Sequence, residues 1–159
     1  MAPRTSMFDP YRKFKFRIKF GNDYVAGMTK CSALTVSVES KDFRTGEMDG
    51  FKHKLPGLTS FEPITLEQGV TRDKTFEGWA TLMSNYLGNK GADAQKKPNE
   101  FRKDVDIEIY DLANNRVKAY RVYNCWVSKY TAVPDLDANS GDAMIQTLVL
   151  ENEGIQVLQ

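Results

Sequence analysis

The sequence contains very few of the residues on which metal sites, disulfide frameworks and acid–base catalysis usually depend. Its 159 residues include one histidine, His53, and two cysteines, Cys31 and Cys125. So few donors, spread so far apart in sequence, make neither a zinc-ligand pattern nor a disulfide framework. We therefore expect reduced, half-buried cysteines, a solvated His53, and neither a metal nor a cofactor.

Long apolar runs and phosphate-binding loops are missing as well. No apolar stretch approaches the roughly 20 residues that span a bilayer, and the opening MAPRTS lacks the apolar region of a signal peptide. Neither the Walker pattern nor the dinucleotide fingerprint occurs, and no serine lies in a nucleophile elbow. We expect a protein made in the cytoplasm without a signal peptide, with no direct membrane anchor, no catalytic residues and no small-molecule substrate.

The composition indicates one ordinary globular domain over residues 1–159. Lysine and arginine number 22 against 21 aspartates and glutamates, so no excess of positive charge points to nucleic-acid binding. A chain of this length buries about 70% of the surface that it exposes when unfolded, which is enough for a real core.

Alternating apolar residues predict a fold made mostly of β-strands. The clearest case is residues 14–20, where Phe16, Ile18 and Phe20 alternate with Arg17 and Lys19. Further strands are predicted over residues 24–28, 34–43, 51–55, 61–67, 105–109, 116–130 and 143–151, with Pro56-Gly57 ending the third of these and Asn114-Asn115 forming a tight turn. The segment 116–130 changes phase, so it either carries a bulge or is covered on both faces.

One segment has helical periodicity and predicts a helix over residues 74–88. Thr71 or Asp73 is suited to cap its start, and Gly88 is suited to the position after its end. The polar segment 89–99 is predicted to be a surface loop. The predicted fold class is mainly β, a barrel or sandwich of two packed antiparallel sheets with one flanking α-helix.

No group of residues predicts a reaction. Asp104 and Asp106 share a strand face with Glu108 and indicate a solvated face rather than a glycosidase pair. In residues 14–20 the aromatic and basic side chains lie on opposite faces, so they cannot act together on a nucleic acid. Interface chemistry remains, because subunits joined edge to edge satisfy open strand ladders.

Seven segments, in order along nearly the whole chain, resemble the phage tail-tube-like inner tube proteins of contractile injection systems, which are related to the haemolysin-coregulated protein fold. These segments are DPYRKFKF at 9–16, KLPGLT at 54–59, ITLEQGVT at 64–71, Trp79, RKDV at 102–105, YNCWVSKY at 123–130, and LDA at 136–138 followed by IQTLVLE at 145–151.

The resemblance implies six subunits in a ring and rings stacked into a hollow tube with a β-lined lumen. The implied partners are a contractile sheath protein, baseplate or spike proteins, tape-measure or cap proteins, and protein effector cargo inside the lumen of an extracellular or virion-like particle. We assign an N-terminal arm to residues 1–13 and a stacking loop to 42–52. The predicted subunit contacts are Phe8, Asp9, Tyr11, Arg12, Phe43, Arg44, Glu47, Asp49, Phe51 and Lys52.

Two other interpretations of the function fit the same sequence. A monomeric β-barrel that binds a small ligand would have an apolar interior with a few convergent polar groups. A tube of a true contractile phage would conduct DNA, and the sequence does not fix which residues face the lumen.

Overall fold

The structure is a computed structural model that describes residues 15–44, 46, 50, 52–70, 72–88 and 98–158. Within those residues it contains ten strands and two helices. In chain order they are β1 (Lys15–Phe20), β2 (Asp23–Val25), β3 (Met28–Cys31), β4 (Val36–Phe43), β5 (His53–Phe61), β6 (Ile64–Gly69), α1 (Thr75–Leu87), α2 (Pro98–Phe101), β7 (Lys103–Tyr110), β8 (Arg116–Thr131), β9 (Ile145–Glu151) and β10 (Gly154–Val157).

Two antiparallel sheets share the long strand β8. Sheet A contains β2, β1, β7 and the first half of β8, which also pairs with β10. Sheet B contains the second half of β8 together with β9, β6 and β3. Strands β4 and β5 form a separate two-stranded hairpin. The predicted mainly β fold of two packed antiparallel sheets is confirmed.

Bulges in β8 explain its change of phase. Tyr123 and Asn124 together oppose Asp104 on β7, and further register shifts lie near Val117 and near Ser128. Asn124 has a φ of 51° and donates its backbone N–H to the Asp104 carboxylate at 3.1 Å. Each extra residue moves the side chains that follow it to the opposite face and bends the strand. The predicted alternatives were a bulge or a strand covered on both faces, and the structure has bulges.

The predicted single strand over residues 24–28 is wrong, because Gly27 divides it. Gly27 has a φ of 71°, a backbone conformation that glycine adopts without steric cost. The turn at Gly27 sends the chain from β2 in sheet A to β3 in sheet B. Joining the outer strands of both sheets in this way closes that side of the sandwich.

Helix α1 covers one side of the core. Its buried face holds Phe76, Trp79 and Met83, and Phe20 packs on it with ring centroids 5.8 Å from Phe76 and 4.8 Å from Trp79. The indole N–H of Trp79 donates to the carbonyl oxygen of Phe101 at 2.7 Å. Phe101 belongs to α2, a one-turn helix that begins inside the segment predicted to be a loop.

A buried chain of polar side chains ties α1 to sheet B. The Tyr130 hydroxyl donates to Oε1 of Gln146 at 2.8 Å, and Gln146 donates to Oε1 of Gln68 at 2.6 Å. Gln68 donates in turn to the Asp73 carboxylate at 3.2 Å. The N-cap position of α1 is Lys74, which makes no side-chain capping bond, so neither predicted candidate occupies it. Asp73, one residue earlier, accepts the backbone N–H of Thr75 at 3.0 Å and so satisfies a free amide at the helix start.

The two cysteines differ in burial, and the histidine lies at the surface. Both cysteines are free; Cys125 is fully buried, so the half-buried prediction holds for Cys31 alone. Burial raises the pKa of Cys31 to about 11 and that of Cys125 to about 12. His53 is exposed. Among the described residues, no helix is long and apolar enough to cross a membrane, and no cluster of His, Cys, Asp and Glu is able to hold a metal ion.

Candidate assembly surfaces

Nearly every residue of the β4–β5 hairpin is exposed. Its strands pair with each other and with no other described strand, and nine residues of β5 reach about 30 Å at ~3.3 Å per residue. Large apolar side chains nevertheless face solvent: Val38 is 54% exposed, Leu55 50% and Leu58 72%. Leu55 pairs with Lys41, which lies three residues after Val38 on β4. Successive side chains of a strand point to opposite faces, so Val38 and Leu55 lie on opposite faces of the hairpin.

The prediction that Pro56-Gly57 ends a strand is wrong, because both residues lie inside β5. Residues 57 and 58 together oppose Glu39, which forms a bulge. Bulges and edge strands are the places where a strand tolerates proline. A Cβ on Gly57 would lie 3.0 Å from Cβ of Glu39, so glycine permits the close approach of the two strands there.

Three of the ten predicted contact residues fall in the described part of the chain, and all three lie near the tip of this hairpin. Phe43 ends β4, Arg44 follows it, and Lys52 directly precedes β5. Lys52 forms an exposed ion pair with Asp42 at 3.8 Å. The other seven, and the arm over residues 1–13, lie outside the described residues: Phe8, Asp9, Tyr11, Arg12, Glu47, Asp49 and Phe51.

The outward face of sheet A carries a network of charges. Strand register places Arg17 across from Glu108, and Lys19 across from Asp106, which in turn lies across from Arg121. Arg121 binds Asp106 through two hydrogen bonds of 2.7 and 2.9 Å. This charge-assisted contact raises the pKa of Arg121 further above its usual range.

Glu108 is the second carboxylate of that network. It accepts hydrogen bonds from the Tyr24 hydroxyl at 3.1 Å and from the Tyr110 hydroxyl. It also forms an ion pair with Arg116 at 3.4 Å. The bond to Glu108 raises the pKa of Tyr110 to about 12. Glu108 is 5% exposed and Asp106 6%, so the prediction that they are solvated is wrong. Arg121 binds Asp106, and Arg116 with two tyrosine hydroxyls binds Glu108. Asp104 is exposed, as predicted.

Several strand edges are open among the described residues. The outer strands β2, β3 and β10 each pair on one side, and Lys15–Arg17 of β1 pairs with β7 alone. Such edges offer unpaired backbone groups to another chain. They are short, with three residues in β2 and four in β3 and β10, which limits nonspecific pairing.

An open apolar cavity of about 610 Å³ lies between the sheets near the base of the hairpin. Phe16, Ile107, Ile109 and Tyr120 of sheet A line one wall. Residues 29–34, which include Cys31 and Leu34, line the other. Among the described residues, the charged side chains of its lining are those of lysines 15 and 30, and its other polar side chains are those of Thr29, Cys31, Ser32 and Tyr120. The cavity can bury an apolar group.

Solved structures with the same fold include chains of two assembled particles and an Hcp protein. The chain is 21% identical to a chain of the anti-feeding prophage cap, covering 100% of this chain and 99% of that one, with a TM-score of 0.75. It is 24% identical to a chain of the sheath–tube complex of an extracellular contractile injection system, PVC, covering 94% and 93%, with a TM-score of 0.70. Hcp1 from Flavobacterium johnsoniae shares 16% identity over 91% and 95%, with a TM-score of 0.58. No curated protein sequence matches the chain.

A comparison with protein-family models identifies the family of this chain. The model of the T4-like virus tail tube protein gp19 matches residues 12–156. That range includes both sheets, the hairpin and α1, so the match covers the whole described fold rather than one motif. The chain belongs to the T4-like virus tail tube protein family.

Proposed function

We propose that this chain is the repeating structural subunit of a hollow inner tube, in which six copies close a ring and rings stack through the β4–β5 hairpin. The observation that carries the proposal is the hairpin itself. A two-stranded hairpin is marginally stable in water on its own, and this one exposes Val38, Leu55 and Leu58 on two faces. A second copy of the chain that packs on it would bury those side chains.

Ring closure needs contacts of a different kind. The open edges of β2 and β10 lie at the two ends of sheet A, and edge-to-edge contact in one rotational sense generates a closed ring. The number six is supported by a similar chain, 18% identical with a TM-score of 0.74, in the anti-feeding prophage baseplate, whose structure is six-fold symmetrised.

The particles in which similar chains occur support a sheath, a baseplate and a cap as further partners, whereas protein cargo rests on the resemblance in sequence alone. The solved relatives include a tube-terminating cap, a baseplate and a sheath–tube complex. We infer that a contractile sheath surrounds this tube, that baseplate and cap proteins end it, and that protein cargo travels in the lumen. The chain would act as a component of that assembled particle, not as an enzyme.

The test replaces residues 42–52 with a short Gly-Ser turn and compares particle size by sedimentation. The parent protein is expected to form rings and stacked rings, whereas the variant stops at single rings because the hairpin tip is lost. Circular dichroism checks that the variant still folds. Long stacks of a folded variant would contradict a stacking role for the hairpin.

A second candidate function rests on the 610 Å³ cavity, whose size suits a small apolar ligand. A ligand carrier would remain a small monomer and gain thermal stability from such a ligand. Sedimentation distinguishes the two candidate functions. Rings at micromolar protein concentration would support the tube subunit, whereas a monomer that binds apolar ligands would support the ligand carrier.

A further inference from the structure

On the outward face of sheet A, two carboxylates are buried while their cationic partners are partly exposed. Asp106 and Glu108 are 6% and 5% exposed. The side chains of their partners Arg121 and Arg116 are 39% and 46% exposed. Of the three carboxylates on this face of β7, only Asp104, near the start of the strand, is exposed. A partner that approaches the middle of this face therefore meets the cations before it meets Asp106 and Glu108.

Strand β1 adds three cations to the same face. Lys15, Arg17 and Lys19 alternate along it, and none of them forms an ion pair with a described residue. Lys15 donates to the Asn114 side chain at 3.2 Å. Arg17 lies 4.7 Å from the centre of the Tyr110 ring, and Lys19 lies 5.6 Å from that of Tyr24. These contacts hold the side chains in place without neutralising them, although Arg17 and Lys19 lie across the strands from Glu108 and Asp106.

We propose that this cationic face, made of Lys15, Arg17, Lys19, Arg116 and Arg121, binds an extended acidic polypeptide. The protein as a whole is almost neutral, with a net charge of +1, so the attraction comes from the arrangement of charges on this one face. This inference deepens the proposed function. It rests on that function only where it identifies the acidic polypeptide as the cargo of the tube.

The geometry favours a polypeptide over a nucleic acid. Alternate side chains of an extended strand repeat every ~6.7 Å, so acidic residues at every second position of an extended peptide match Lys15, Arg17 and Lys19. Single-stranded nucleic acids need open aromatic faces on which bases stack. Three tyrosines lie on this face. A cation covers one face of the Tyr24 and Tyr110 rings, and Glu108 binds both of their hydroxyls. Tyr123, beside Arg121, donates its hydroxyl to Gln156.

The experiment measures binding of a short fluorescent poly-L-glutamate peptide to the full-length chain by fluorescence anisotropy at low ionic strength. An oligothymidylate of equal length is measured in parallel. We expect the peptide to bind more tightly than the oligonucleotide, and its affinity to fall as salt is added, since salt screens exposed charges. Tighter binding of the oligonucleotide, or no binding of the peptide, would overturn the proposal.

Two double variants with the same loss of charge locate the site. Arg17→Gln/Lys19→Gln is expected to weaken peptide binding about five- to tenfold, because two exposed charge contacts are lost. Lys30→Gln/Lys129→Gln removes two exposed lysines of sheet B and is expected to leave affinity within about twofold. Equal losses in both variants would show that net charge alone drives binding. The assay needs no assembly, so its result is independent of whether tubes form.

Discussion

The side-chain amide of Gln146 donates a 2.6 Å hydrogen bond to Oε1 of Gln68 in the interior of sheet B. Both side chains are buried, and the two residues are direct cross-strand partners on β9 and β6. Gln68 also donates to the carbonyl of Ala26 and to Asp73. The pair therefore connects the β2–β3 turn, the sheet and the start of α1, and it fixes their relative positions in a way that an apolar pair would not.

Loss of one glutamine should cost more than loss of both. Gln68→Leu leaves the Gln146 amide buried without its acceptor, which costs about 1–3 kcal/mol of unfolding free energy. Urea denaturation gives that value. The triple variant Gln68→Leu/Gln146→Leu/Tyr130→Phe also removes the Gln146 amide and the Tyr130 hydroxyl, so it should recover part of the loss. The Ala26 carbonyl and Asp73 lose their bond to Gln68 in both variants. A triple variant less stable than the single one would contradict the account of this network.

The stability supplied by Asp73 should disappear in acid. Its hydrogen bonds, first of all that from the Thr75 hydroxyl, lower its pKa in the folded protein. A lowered pKa stabilises the fold above the unfolded value, near 3.8, and that contribution is lost as the pH falls through the folded pKa. The stability gap between the parent protein and Asp73→Asn should therefore narrow below about pH 4. Urea denaturation at neutral pH and in acid measures it; a gap independent of pH would contradict the assignment.

The Asp106–Arg121 pair should respond unequally to removal of its two partners. Arg121→Met leaves the nearly buried Asp106 carboxylate uncompensated, with an expected cost of about 3 kcal/mol. Asp106→Asn leaves an arginine that is 39% exposed and can be hydrated, so its cost should be about 1 kcal/mol. Chemical denaturation of both variants makes the comparison, and a larger cost for Asp106→Asn would contradict the burial pattern.

Two glycine substitutions should have opposite effects. Gly57→Ala places a Cβ 3.0 Å from Cβ of Glu39 and 3.2 Å from its carbonyl oxygen, so it should disturb the hairpin and shorten tubes in electron micrographs. In the matched control Gly78→Ala, the new Cβ meets nothing within 4 Å. Alanine is the better helix former there and should add about 0.5–1 kcal/mol. Normal tube length in Gly57→Ala would show that the close approach at the bulge is not needed for stacking.

Sequence periodicity predicted the strands and the helix in which buried and exposed residues repeat at one regular spacing from end to end. The alternation in β1 and the apolar face of α1 gave the correct type of structure and nearly the correct bounds. The position of Asn114 in a tight turn was also predicted, and its φ of 65° confirms the reason. These signals are local, because each depends on residues within a few positions of one another.

Features that depend on pairing between distant segments were not predictable in the same way. The three irregularities of β8 arise from its register with β7 and β9. The burial of Glu108 depends on Tyr24, Tyr110 and Arg116 on other parts of sheet A. Proline and glycine at 56 and 57 signalled a strand end, but the bulge opposite Glu39 accommodates both. All ten predicted subunit contacts, inside and outside the described residues, stay predictions.

The central claim is that copies of this chain assemble into a hollow tube. Negative-stain electron microscopy of the purified full-length protein, across a concentration series, tests it most directly. The account predicts rings with six-fold symmetry that stack into hollow tubes of uniform width as the concentration rises. Small monomeric particles at every concentration would contradict it.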